Sequence, residues 1–205
     1  MKRGLLVVGL ALVFAASVAS APPTVSIQTQ VKEAQAFQVF DVSGAVAGGR
    51  GGEDVKVEVK ECGSYAPFHQ VAGDVTGNAG TWTTKVGLGV TSQLRATWRS
   101  GVSGPITVEV HPYMTITYKG PGRYFVWARA TDFFGGARAV LERAAGSKWV
   151  VVKKFTLKRG QGPGAASSTA TVRAKLKKGT LIRAVLPKAQ AGKCYLAGFT
   201  NTLKV

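Results

Sequence analysis

Apolar and polar residues alternate in short runs along most of this chain. Val55, Val57 and Val59 alternate with Lys56, Glu58 and Lys60, and Leu94, Ala96 and Trp98 with Arg95, Thr97 and Arg99. Ile106, Val108 and Val110 alternate with Thr107 and Glu109, and Val172, Ala174 and Leu176 with Arg173, Lys175 and Lys177. A period of two places one set on a buried sheet face and the other in solvent, so each run predicts a strand. The stretches AGGRGG at Ala47–Gly52, GNAG at Gly77–Gly80, KGPG at Lys119–Gly122 and GQGPG at Gly160–Gly164 separate the runs and predict turns. No part of the chain beyond the N-terminal segment sustains a 3.6-residue period over the length of a helix, which predicts an all-β protein.

The N-terminal segment has a different pattern. Lys2 and Arg3 precede an apolar run from Leu5 to Ala16, and the small residues Ser17 to Ala21 follow. This order predicts a secretory signal peptide over residues 1–21, with cleavage after Ala19 or Ala21. The run is short for an uncleaved anchor, which needs about 20 apolar residues, and no later stretch approaches that length. The expected product is secreted or cell-surface associated, with no transmembrane span.

An internal repeat divides the remainder. Thr81–Trp98 aligns without gaps on Thr169–Leu186, and Leu94, Arg95 and Ala96 recur as Ile182, Arg183 and Ala184. Val25–Thr29 (VSIQT) matches Met114–Tyr118 (MTITY) at nearly the same offset. A period this long, met twice, predicts two domains of one fold, at residues 22–111 and 112–205. About seven short strands in each, with one buried face apiece, predict a two-sheet sandwich.

On these patterns the chain resembles bacterial extracellular proteins built of tandem immunoglobulin-like domains. The resemblance implies two antiparallel β-sandwiches and a role as spacer, adhesive surface or carbohydrate-binding accessory. Neither half carries the Cys, Trp, Cys spacing of antibody domains, so no intersheet disulfide is expected. The chain has two cysteines. In a sandwich of ordinary strand order Cys62 closes the third strand of the first domain. Cys194 precedes the last strand of the second domain, at the pole facing the first. That placement predicts a Cys62–Cys194 disulfide joining the domains, with two separate thiols as the competing expectation. The second domain also has a longer segment before its last strand, read as a loop shaped to reach its neighbour.

Charge changes the picture most. Residues 22–111 hold seven Lys/Arg against eight Asp/Glu, whereas residues 112–205 hold eighteen against two, Asp132 and Glu142. A field so one-sided attracts polyanions whatever the fold beneath it. Arg173, Lys175 and Lys177 should form a ridge on one strand face, with Lys178 after it. Lys153, Lys154, Lys158 and Arg159 would join the ridge if their stretch folds back beside it. Trp149 and Tyr195 lie near these residues, available for stacking on a ligand or for packing. The expected partner is an anionic cell-envelope polymer or polysaccharide; no specific nucleic acid and no protein partner is singled out. The competing expectation is a structural or protein-interaction module whose basic face only keeps it soluble.

The residues offer little for catalysis. His69 and His111 are the only histidines and are far apart, so no metal or other cofactor is expected. There is no G-x-S-x-G elbow, and GQGPG lacks the Lys-Ser/Thr ending of a phosphate loop. The expected class is a binding module, not an enzyme.

Overall fold

The computed structural model describes residues 24–160 and 166–205. The segment expected to be a signal peptide, residues 1–21, and all but the first residue of the expected GQGPG turn lie outside the described residues. The chain is nearly all β, and the alternating runs noted above are its strands.

Up to Pro112 the strands are β1 (Glu33–Gln35), β2 (Val39–Ala45), β3 (Asp54–Glu61), β4 (His69–Val75), β5 (Thr81–Gly87), β6 (Ser92–Trp98), β7 (Gly101–Val102) and β8 (Ile106–His111). One sheet has the order β1-β8-β6-β3-β4, with β7 also paired antiparallel to β6, and the other is β2-β5. The segment around Val25 and Gln28 bridges to β2 through Val46 and Ser43. Strand β1 then crosses to the other sheet and runs parallel to β8.

Beyond Pro112 follow β9 (Tyr113–Tyr118), β10 (Arg123–Arg129), β11 (Arg138–Ala145), β12 (Lys148–Thr156), β13 (Lys158–Arg159), β14 (Ser167–Arg173) and β15 (Leu181–Leu186). A one-turn helix α1 (Lys188–Ala191) and the short strands β16 (Gly198–Phe199) and β17 (Leu203–Lys204) complete the chain. Their sheets are β13-β14-β10-β9 and β12-β11-β15-β16, with β17 also on β15. Lettered in chain order, these are A-B-E-D and C′-C-F-G, the strand order of an immunoglobulin-like sandwich. The first set reads A-B-E and G-F-C-C′. The repeat falls on equivalent strands, β5 and β6 in one set and β14 and β15 in the other.

The buried faces explain the pattern. Val55, Val57, Val59, Leu94, Ala96, Val108 and Val110 from one sheet meet Phe40, Val42, Trp82 and Val86 from its partner. Beyond Pro112, Tyr124, Val126, Ala128 and Val172 face Leu141, Ile182, Ala184 and Leu186. Burying such side chains stabilises by roughly 1.5–3 kcal/mol each, and this is the main force holding sheet to sheet.

Among the described residues every strand ladder joins strands on the same side of Pro112. Other contacts cross it. Cys62, just after β3, is bonded to Cys194, just after α1, across 132 residues of chain, which resolves the alternatives for the two cysteines. The Thr91 N–H donates to the Cys194 carbonyl at 3.2 Å, Leu196 N–H to Val110 at 2.9 Å and Thr131 N–H to Gly89 at 3.1 Å. The Arg129 guanidinium lies 4.6 Å from the Phe37 ring centroid. A methyl group at Gly89 would overlap Thr131 Oγ1 and the Phe37 ring, so glycine there permits the close approach. The longer segment before the last strand is α1 and its exit, which carry Cys194 to the junction.

Candidate anion-binding surface

The cations of residues 112–205 fall into separate groups because β14 has two ends. Its first half pairs with β13, placing Lys158 opposite Thr169 and Arg159 opposite Ser168. This end adjoins the junction, since Ser167 pairs with Arg129 of β10. The Arg159 guanidinium stacks over Phe133 at 4.0 Å. From Ser168 to Arg173 the strand runs about 17 Å at its usual rise, so Lys158 and Arg159 do not share a site with the residues at the other end.

At that far end Arg173 pairs with Arg123, the first residue of β10. The ladder stops there. The Ala174 N–H donates to the Gly122 carbonyl at 2.9 Å, in the turn between β9 and β10. Gly122 has φ +63°, and a side chain on it would press on the Ala174 carbonyl. The expected strand ridge of Arg173, Lys175 and Lys177 is therefore corrected: only Arg173 is in the strand. Lys175, Lys177 and Lys178 stand exposed on the loop that follows. The alternation persists there without a ladder, because Ala174 and Leu176 still pack inward.

The C′ strand β12 does fold back toward β14. Lys153 Nζ donates to the Arg173 carbonyl at 3.0 Å, bringing Lys153 beside the distal group. Lys154, its neighbour, is opposite Val140 in the ladder and exposed. The distal end thus gathers Lys153, Arg173, Lys175 and Lys178 and adds two cations not anticipated from sequence, Arg123 and Lys204. Arg123, Arg173 and Lys175 line one hollow with Pro121 and Gly122. Lys175, Lys178 and Lys204 line the adjoining one. Only the meeting of the β9–β10 turn with the chain end places them together, and no local sequence signal marks it.

Few of these charges are neutralised within the fold. Among the described residues beyond Pro112 the one ion pair is Arg183–Glu142, at 2.8 Å. Asp132 is engaged by Tyr195, whose hydroxyl donates to Asp132 Oδ2 at 3.0 Å and accepts from the Asp132 N–H at 3.1 Å. Tyr195 is buried and stacks edge-on against Phe134 at 5.3 Å. Burial pushes its phenol well above the ordinary value, and the Asp132 carboxylate adds to the effect. Its ring is thereby committed to packing, the second of the two alternatives open to it in the sequence. Trp149 is half-buried, with Arg183 over its ring at 4.3 Å.

No protein-family model and no curated protein matches the chain. Among solved structures it is similar to a marsupial T cell receptor, at 10% identity over 88% of this chain and all of that one, with a TM-score of 0.35. The immunoglobulin-like description rests on the strand order above.

Proposed function

We propose that the protein is an exported, non-enzymatic binding module of two tandem sandwiches, residues 22–111 and 112–205, whose second sandwich docks electrostatically on an anionic cell-envelope polymer or similar extracellular polyanion. Export follows from the N-terminal pattern and accords with a disulfide, a bond that persists mainly in oxidising compartments. One observation carries the docking: eighteen cations meet two acids beyond Pro112, both acids are engaged by single partners, and six cations collect at the distal end. Repulsion among them is relieved when a polyanion displaces their counterions. Such binding is driven by ion release and weakens steeply with salt.

The test is retention on a heparin-type resin and on isolated envelope polymer at increasing salt. Engagement of about five cations gives a log–log slope near −4 by the polyelectrolyte rule for nucleic acids. Reversal of both Arg173 and Lys175 to Glu should make the slope shallower by one or two units and elute the protein earlier. Reversal of Lys158 and Arg159 at the junction end should change retention less. Retention that is insensitive to salt, or to the distal reversals, would instead favour a spacer or protein-interaction module with an idle basic face.

A further inference from the structure

The strand sets on either side of Pro112 each centre one outer sheet face on the same ion pair. Glu58 of β3 meets Arg95 of β6 at 2.7 Å, and Glu142 of β11 meets Arg183 of β15 at 2.8 Å. The surroundings of the two pairs differ. Lys56 opposite Thr97 and Lys60 opposite Gln93 keep the first face polar. On the second, Val140 opposite Val185 takes the place of Lys56 and Thr97, and exposed Leu181 the place of Gln93. Exposed Val151 of β12 lies opposite Glu142, and Trp149 packs against the Arg183 guanidinium. The same frame is polar in one set, so the apolar face of the other is not something the fold requires.

The strand beside this face is also open. β12 ends its sheet, as β4 does in the first set. The edge of β4 is braced: Thr84 Oγ1 donates to the Gly73 carbonyl at 3.2 Å, and the Thr83 N–H to the Asp74 carboxylate at 2.9 Å. Among the described residues no such bond reaches the backbone of β12, whose partner is its ladder with β11. The N–H and C=O groups that point away from β11 are therefore free to pair with another strand.

Charge decides which strand fits. β12 carries Lys148, Lys153 and Lys154 and no carboxylate. A second copy is disfavoured: with Val150 opposite Val151 in an antiparallel pair, Lys148 would face Lys153, and like charges directly opposite destabilise. We propose that β12 takes up an extended acidic segment of a partner protein as an added strand. Side chains of such a strand alternate between faces. Apolar ones lie beside Trp149 and Val151, and the carboxylates between them face Lys148 and Lys153. This recognition rests on main-chain pairing and uses neither a polymer nor the distal hollows.

The test is calorimetric titration of the full chain with a blocked peptide in which glutamate alternates with valine and phenylalanine over the length of β12. A control peptide has the same residues with the glutamates grouped at one end. Salt of about 0.3 M shortens the screening length to several ångströms and suppresses loose surface binding. The alternating peptide should bind at least tenfold more tightly than the control, and amide hydrogen exchange should slow in β12 but not in β4. Reversal of both Lys148 and Lys154 to Glu should weaken it about tenfold, as two inverted surface pairs provide. Reversal of Arg173 and Lys175, the variant that tests polymer docking, should leave it nearly unchanged, so either proposal can fail while the other holds. Equal binding of the two peptides, absence of saturable binding, slowed exchange outside β12, or a chain that dimerises through β12 would overturn the proposal.

Discussion

Breaking the Cys62–Cys194 bond should destabilise the junction by an amount its position in the chain defines. The bond closes 132 residues. Constraint of the unfolded chain over a loop of that length corresponds to about 5 kcal/mol at room temperature, and natural bonds usually realise about 2–4 kcal/mol. The hydrogen bonds from Thr91, Thr131 and Leu196 do not depend on the disulfide, so the sheets on either side of Pro112 should stay docked but unfold at lower denaturant. The assay is urea unfolding of the oxidised chain, the reduced chain and the Cys62→Ala, Cys194→Ala double variant. Tryptophan fluorescence can follow the chain on both sides of Pro112, since Trp82 and Trp98 precede it and Trp127 and Trp149 follow it. A loss of about 2–4 kcal/mol in both the reduced and the double-variant forms is expected, with little change in slope. Coincident curves for oxidised and reduced protein would refute the reasoning, because they would mean that the loop is not a constraint on the unfolded state.

Tyr124→Phe should leave stability unchanged or raise it by up to about 1 kcal/mol, measured by the same unfolding, because the hydroxyl it removes is buried and unpaired. Glu142→Gln should cost about 1–2 kcal/mol, since it strips a charge partner from Arg183, whose guanidinium is also flanked by Trp149 and Phe199. Stability should fall as pH rises above 10, the ordinary tyrosine value, because the unfolded chain ionises Tyr195 there while the fold holds it protonated. Tyr195→Phe should flatten that slope and remove a late step from phenolate absorbance. At the acid end, hydrogen bonds from Trp98 and Arg99 hold the Glu53 carboxyl below its usual value. The stability it contributes is present above the usual carboxylate range and lost as pH falls through the lowered value, so Glu53→Gln should reduce the acid sensitivity of unfolding.

The strands were legible where one face is buried and the other wet. Val55, Val57 and Val59 of β3 carry that contrast in every residue, so pattern and structure coincide. The junction bond was legible because the order of strands puts both cysteines at facing poles, and the structure bonds them. The ridge misled for a physical reason: exposure alternates from Arg173 to Lys177 whether or not a neighbouring strand supplies hydrogen bonds, and the neighbour ends at Arg123. Tyr195 was ambiguous because an aromatic beside lysines looks the same in sequence whether its hydroxyl faces solvent or an inward carboxylate. The distal cations Arg123 and Lys204 are 81 residues apart in sequence. Only the order of strands within the sheets makes them neighbours.

The cross-link described at the junction also governs what a protease would leave behind. Cleavage at any one peptide bond between Cys62 and Cys194 yields two pieces that still travel together, because the sulfur bridge spans the cut. On a denaturing gel such a nicked molecule keeps its full mass until a thiol is added, and only then separates. A single scission in that stretch therefore releases neither half of the molecule.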